Sequence, residues 1–301
     1  MANIIAIIWD CDKTLIDGYM QDPIFRKYNI DAHDFWKKVN SIPNELENKG
    51  IRVNADTYYL NHFIKCAHNG TFPGLSNAAL HEFGKEQQFY PGIPEIFEQT
   101  KHMFSENKLY TDYGIQVEHY IVSTGFAETI RGSALMPFVD GVWGCELLDS
   151  TYNGEEVISE IVYTIDNTTK TRAIFEINKG IGKLPEINVN SKIPKELRRV
   201  QFENMIYIAD GPSDIPAFSL VKQNGGSTFA IYPKGNLEAM RQVEQMRADG
   251  RVDMYAEADY SQDTTAYLWI TNKIQDIADR IRDVEKAKIL ASTSQTPQHL
   301  S

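Results

Sequence analysis

Ile4-Ile5-Ala6-Ile7-Ile8-Trp9 runs straight into Asp10-Cys11-Asp12-Lys13-Thr14-Leu15. A run this apolar reads as a strand buried on both faces, as strands of a parallel sheet are. It is too short to span a membrane. It lacks the basic start and the small-residue cleavage site of a secretory leader, and it ends in acidic residues. Two carboxylates two residues apart, directly behind a buried strand, call for a reason. Near a cation their repulsion is offset, and one can attack while the other moves protons. The plain alternative is a solvated turn. The unbroken apolar run before the pair and Thr14-Leu15 after it weaken that alternative.

Two further apolar stretches end in polar clusters. His119-Tyr120-Ile121-Val122 leads into Ser123-Thr124-Gly125-Phe126, and Met205-Ile206-Tyr207-Ile208 leads through Ala209 into Asp210-Gly211-Pro212-Ser213-Asp214. In a parallel sheet the carboxyl ends of the strands line one edge, where such folds place their sites. The three clusters are therefore expected to be neighbours in space. A strand-end hydroxyl followed by Gly can donate to a phosphate oxygen, and amides opening the next helix can add to it. Asp210 and Asp214 bracket a tight turn and can face one cation. Lys170, at the start of an expected helix, could neutralise phosphate and hold a nucleophile. Taken singly, each has an ordinary reading as a turn, a helix cap or a surface lysine.

Residues 16–90 change character: they are helical, aromatic and polar, with no strong strand candidate. Stretches 31–49 and 54–68 carry apolar residues at three- and four-residue spacings, with Asn54 and Ser76 as N-caps and Gly50, Gly70 and Gly74 as stops. Pro91-Gly92 marks a re-entry, followed by helices expected over 93–104 and 127–135. Asn153-Gly154 predicts a hairpin within 142–165. Beyond it come a helix over 170–178, an irregular excursion over 181–202, a helix from Ile215, a strand over 227–232, a helix after Asn236 and a helical stretch over 263–289. Strands alternating with helices imply an α/β fold, a Rossmann-like parallel sheet with helices on both faces. The expected organisation is a core from 1–15 and 91–291, a small helical insert at 16–90 and a loose tail at 292–301.

The 301 residues are 42% hydrophobic, enough to bury a core larger than one average domain. The net charge of -11 argues against a nucleic-acid backbone as partner. No apolar run approaches membrane length, so no membrane partner is expected. Three widely spaced cysteines, Cys11, Cys66 and Cys145, suggest no disulfide framework and fit a reducing compartment, the cytoplasm. His62, Cys66 and His68 have metal-like spacing but no fourth ligand, and are read as a helix with one buried face. Cys11 sits between two carboxylates that discourage a thiolate.

The ordered set Asp10-x-Asp12-x-Thr14, Ser123, Lys170 and Asp210-x-x-x-Asp214 resembles the four-motif signature of the haloacid dehalogenase-like (HAD) hydrolase superfamily. The motifs span residues 10–214, and the helix entry at Pro91-Gly92 is also similar. Ala209 departs from the pattern, where many members have Gly. Gly125-Phe126 aligns the motif hydroxyl with Ser123 better than with Thr124. The resemblance implies that Asp10 attacks phosphorus to form an aspartyl-phosphate and that Asp12 protonates the leaving oxygen, then deprotonates water. It implies magnesium on the Asp10 carboxylate, the Asp12 carbonyl and Asp210, supported by Thr14 and Asp214. Ser123, Thr124, Gly125 and Lys170 would hold the phosphoryl group. An Asp at position 12 points to phosphatases, with phosphomutases a minority. The insert resembles the family's first-type cap, which closes over the site and reads the leaving group; its length suggests a small phosphorylated metabolite. Asp17, Tyr19, Arg26, Tyr58 and Tyr59 are candidate contacts there, while Phe35, Trp36, Tyr58, Tyr59 and Phe63 are read mainly as its core. The expectation is a magnesium-dependent phosphatase of small monoesters. The rivals are a phosphomutase or phosphotransferase with the same site, and a non-catalytic binding protein on the same fold.

Overall fold

The computed structural model describes residues 3–293. The chain opens with β1 (Asn3–Trp9), followed by α1 (Asp22–Tyr28), α2 (Ala32–Glu47), α3 (Ala55–His68) and α4 (Asn77–Gly84). Next come α5 (Glu95–Lys101), α6 (Lys108–Thr111), β2 (Ile115–Phe126), α7 (Ala127–Arg131), β3 (Gly141–Tyr152) and β4 (Glu155–Tyr163). The rest is α8 (Lys170–Lys179), β5 (Met205–Ala209), α9 (Ile215–Gln223), β6 (Ser227–Tyr232), α10 (Leu237–Ala248), β7 (Met254–Glu257) and α11 (Thr265–Thr293).

The strands form one seven-stranded sheet in the order β4-β3-β2-β1-β5-β6-β7. Every pairing is parallel except β3 with β4. The apolar N-terminal run thus becomes a central strand, and Ile4 through Trp9 are buried. A strand buried on both sides needs cover on both. The helices α8 and α9 pack together, while α5, α6 and α11 form another group against β1 and β2. This is the expected α/β architecture.

Register decides where the site lies. Trp9 pairs with Ile121 of β2 on one side and with Ile208 of β5 on the other. Asp10, Ser123 and Asp210 therefore leave or cross the sheet edge at nearly one level. One expectation needs correction here. The second strand does not end at Val122 but runs to Phe126, because a register shift against β3 between Val122 and Phe126 keeps the pairing going. Phe126 stays buried as a result.

Other boundaries also move. The helix expected over 93–104 shrinks to α5, with Pro94 as its N-cap and His102 leaving the helical region. The helix expected over 127–135 stops at Arg131, with Gly132 as its cap. The strand β7 and the helices α1 and α6 were not anticipated; all are short, and β7 is a half-buried edge strand without strong alternation. The hairpin is as expected: Asn153 and Gly154 both have positive φ, 52° and 87°, as a two-residue turn of the primed type requires. Helix α11 continues to Thr293, so the expected tail begins inside a helix, and residues 294–301 lie outside the described residues.

Residues 16–90 contain no strand and hold α1 to α4. Asp31, Asn54 and Ser76 cap three of these helices through their side chains. Phe25, Phe35, Trp36, Phe63 and Phe72 form an aromatic cluster with ring centroids 4.8 to 6.4 Å apart. Phe63 also meets Phe126 of β2 at 5.3 Å, which joins this cluster to the core. Among the described residues, no helix is long and apolar enough to cross a membrane.

Candidate active site

Asp10 follows the last residue of β1, and its backbone amide donates to the Ile208 carbonyl at 2.9 Å. Its side chain is thus placed by sheet pairing before any side-chain contact is made. Asp214 reaches the same place through the turn after β5. Lys170 arrives from the first turn of α8. Its ammonium donates to Asp10 Oδ1 at 2.7 Å and to Asp214 Oδ1 at 2.6 Å. Only 2% of Lys170 is exposed.

Burial by itself pulls the Lys170 ammonium toward neutrality, but the two carboxylates more than offset this and hold it charged. Burial pushes Asp10 up, opposed by that same ammonium. At 2.7 Å from a cation that is itself held charged, Asp10 is the ionised partner. Thr14 Oγ donates to its other oxygen at 3.2 Å.

Asp214 accepts three hydrogen bonds from the protein. Besides Lys170, Tyr207 donates to its Oδ1 at 2.5 Å and Ser213 to its Oδ2 at 2.9 Å. Tyr207 was not singled out in the sequence; its signal was one polar-tipped residue in an otherwise apolar strand. Asp210 differs. Among the described residues no hydrogen bond reaches its carboxylate, and burial followed by repulsion from Asp10 and Asp214 pushes it up. Carboxylate oxygens of Asp10, Asp210 and Asp214 lie within 4.8 Å of one another. Of these three carboxylates, Asp10 and Asp214 contact the Lys170 ammonium and Asp210 does not. An all-oxygen donor set of this charge fits a hard divalent cation. Among the described residues Asp214 accepts three hydrogen bonds, Asp10 two and Asp210 none, so Asp210 and Asp10 keep the most room to bind one. His62, Cys66 and His68 form no such grouping among the described residues: His68 stacks on Tyr152 and lies 3.2 Å from the Ile158 carbonyl.

Asp12 points elsewhere. Its Oδ1 accepts from the Met20 amide at 2.9 Å, and burial with the Asp10 charge pushes its carboxyl up to about 8. Met20 closes the near side of the site. Its sulfur accepts from the Phe126 amide at 3.1 Å, and a Cβ on Gly125 would lie 2.3 Å from it. Gly125 is therefore covered, and its amide donates to Ser123 Oγ at 3.0 Å. This leaves the Ser123 hydroxyl hydrogen free to donate. The Thr124 carbonyl accepts from Tyr59 at 2.6 Å, while Thr124 itself lines a cleft that opens from Asp12. Tyr19 and Tyr59 line that cleft too; Asp17, Arg26 and Tyr58 do not. Arg26 instead faces Glu86 at 3.8 Å in the open. The cleft also gathers Gln21, Asp22 and Asp56, which the sequence did not mark out.

No protein-family model matches the chain. An uncharacterized protein of Borreliella burgdorferi is 34% identical over 287 residues, covering 90% of this chain and 97% of that protein. A HAD-family hydrolase from Salmonella enterica subsp. enterica serovar Typhi has a similar structure, with TM-score 0.50 at 15% identity over 79% of this chain. The alignment covers 65% of that hydrolase, so the chain spans just under two thirds of its length. A phosphoserine phosphatase in apo form aligns with TM-score 0.49 at 14% identity, over 84% of this chain and 94% of its own.

Proposed function

We propose that this chain, which belongs to one family with the Borreliella burgdorferi protein and has the fold of the HAD hydrolases, is a magnesium-dependent phosphatase of small phosphate monoesters. The observation that carries this reading is the buried Lys170 bridge between Asp10 and Asp214, set beside an unbonded Asp210 at one sheet edge. Phosphoryl transfer asks mainly for positioning and charge neutralisation. This arrangement supplies both.

Asp10 attacks phosphorus through a carboxylate oxygen while the ester P–O bond breaks. An aspartyl-phosphate and an alcohol result. Asp12, pushed up to about 8, carries a proton at neutral pH and delivers it to the departing oxygen. As a carboxylate it then takes a proton from the water that attacks the aspartyl-phosphate. Inorganic phosphate leaves, and Asp10 is restored. Lys170 holds Asp10 in line and offsets phosphate charge, and the Ser123 hydroxyl donates to a phosphoryl oxygen. Asp10, Asp210 and the Asp12 carbonyl would hold a magnesium ion, which would supply further charge neutralisation for the phosphoryl group. The helices of residues 16–90 act as a cap that shields the site and reads the leaving group.

The test is Asp10→Asn. Phosphate release from p-nitrophenyl phosphate with magnesium should vanish while the circular-dichroism spectrum stays that of the wild type. Near wild-type turnover would remove Asp10 as nucleophile. Chelation with EDTA should stop the parent enzyme and added magnesium should restore it; activity that persists after metal removal contradicts the cation site.

A further inference from the structure

The cleft that opens from Asp12 runs between Thr124 and the first three helices of the insert, with a volume of about 570 Å³. Under the phosphatase reading, on which this inference rests, the alcohol part of the ester lies here, because Asp12 hands it a proton. Three features of the lining define what that alcohol carries.

The first is charge. Asp22 and Asp56 line the cleft in addition to Asp12, and both are half-buried. Asp22 spends one oxygen on the Tyr19 amide at 2.9 Å and keeps the other free. Asp56 takes a hydrogen bond from the Asn167 amide, and the Asp166 carboxylate repels its charge more than the Lys170 ammonium attracts it. Among the described residues the one ammonium on the lining, that of Lys37, occupies an exposed position.

The second is aromatic surface. The Trp36 ring stands 5.7 Å from Tyr59 and 6.3 Å from Tyr19. Tyr19 already holds the Lys13 ammonium 4.3 Å from its ring centroid, so Trp36 and Tyr59 are the faces left for a ligand. Rings over carboxylates attract organic cations.

The third is unmet hydrogen bonding. Gln21 is only 3% exposed, and its Oε1 has no partner; Trp36 Nε1 is likewise buried and unpartnered. A buried acceptor left empty is costly, so a turn of the Gln21 amide that brings Oε1 to a donor on the ligand gains.

We propose that the cleft takes the phosphate ester of a small amino alcohol, with its ammonium group on the Trp36 and Tyr59 rings, donating to Gln21 Oε1 and paired with Asp56 and Asp22. A carboxylate at that position would meet the acidic lining and be rejected.

The full-length enzyme with magnesium should be given ethanolamine phosphate, the uncharged isostere 2-hydroxyethyl phosphate, the acidic phosphoglycolate, and p-nitrophenyl phosphate as a general substrate. Ethanolamine phosphate should exceed its uncharged isostere in kcat/KM by about tenfold, with phosphoglycolate slowest. Asp56→Asn should narrow that ratio. A ratio of one or less, a preference for phosphoglycolate, or a ratio unmoved in Asp56→Asn overturns the proposal. If p-nitrophenyl phosphate is hydrolysed without an ammonium preference, the substrate class alone fails. If no ester is hydrolysed, the phosphatase reading fails with it.

Discussion

Lys170 shows what a single residue can hide. By sequence it is one of 30 basic side chains, at the start of a helix. In the fold it is buried between two carboxylates that lie 160 and 44 residues away along the chain. Removing one member of such a group strands the others, which costs about 3–5 kcal/mol. Lys170→Met should therefore lower the denaturation midpoint substantially as well as abolish turnover. Adding Asp214→Asn should recover part of the stability, because it removes one of the stranded charges. A Lys170→Met protein as stable as the wild type would show that the bridge is not an ion pair.

At the scale of elements, the site depends on close approach. The helices α4 and α7 tie residues 16–90 to the sheet, and two glycines let them meet. A Cβ on Gly132 would lie 1.8 Å from the His81 carbonyl, and one on Gly84 would lie 2.2 Å from the Thr129 carbonyl. The backbone of Gly132 has ordinary helical angles, φ -74° and ψ -11°, so conformational strain plays no part there. Gly132→Ala is a purely steric wedge. It should cost roughly 1–3 kcal/mol, as overpacking does, and lower the melting temperature by several degrees. An unchanged melting temperature would mean that the two helices can part freely.

At the scale of the whole molecule, acid stability turns on His119, which lies at the centre of the core. Trp9 Nε1 donates to His119 Nδ1 at 3.1 Å, so Nε2 carries the ring hydrogen and faces Thr100 Oγ at 3.0 Å. Thr100 in turn donates to the Ile96 carbonyl at 2.5 Å. With both ring nitrogens engaged in the neutral form, burial, together with the nearby Lys101 charge, pushes the imidazole down to about 3. The folded value lies below the unfolded one, so the unfolded chain takes up the proton first as pH falls. This contribution is complete above about pH 6.5 and is lost on the way down to 3. The raised carboxyl of Asp12 acts with the opposite sign, so the measurement should be a difference. The stability advantage of wild type over His119→Gln should shrink by about 2 kcal/mol between pH 7 and pH 5. An advantage that does not change with pH would contradict a buried His119 held neutral.

The strands β1, β5 and β6, the hairpin, the caps at Asn54 and Ser76 and the order of the polar clusters were legible from residues alone. These features rest on apolar periodicity and turn chemistry, which are local. Helix ends were less so, as Pro94 and Gly132 show, because a boundary depends on what the last turn packs against. The pair Asp10 and Asp12 announced the edge of the sheet, and the register of β1 with β2 and β5 brought Ser123 and Asp210 to it. What only the tertiary structure decided is which partners those residues have. The pairing of Asp214 with Lys170 and the covering of Gly125 by Met20 both join segments distant in sequence. So does the meeting of Gln21, Trp36 and Asp56 in one cleft. No periodicity encodes such meetings, because they are set by how whole elements pack together.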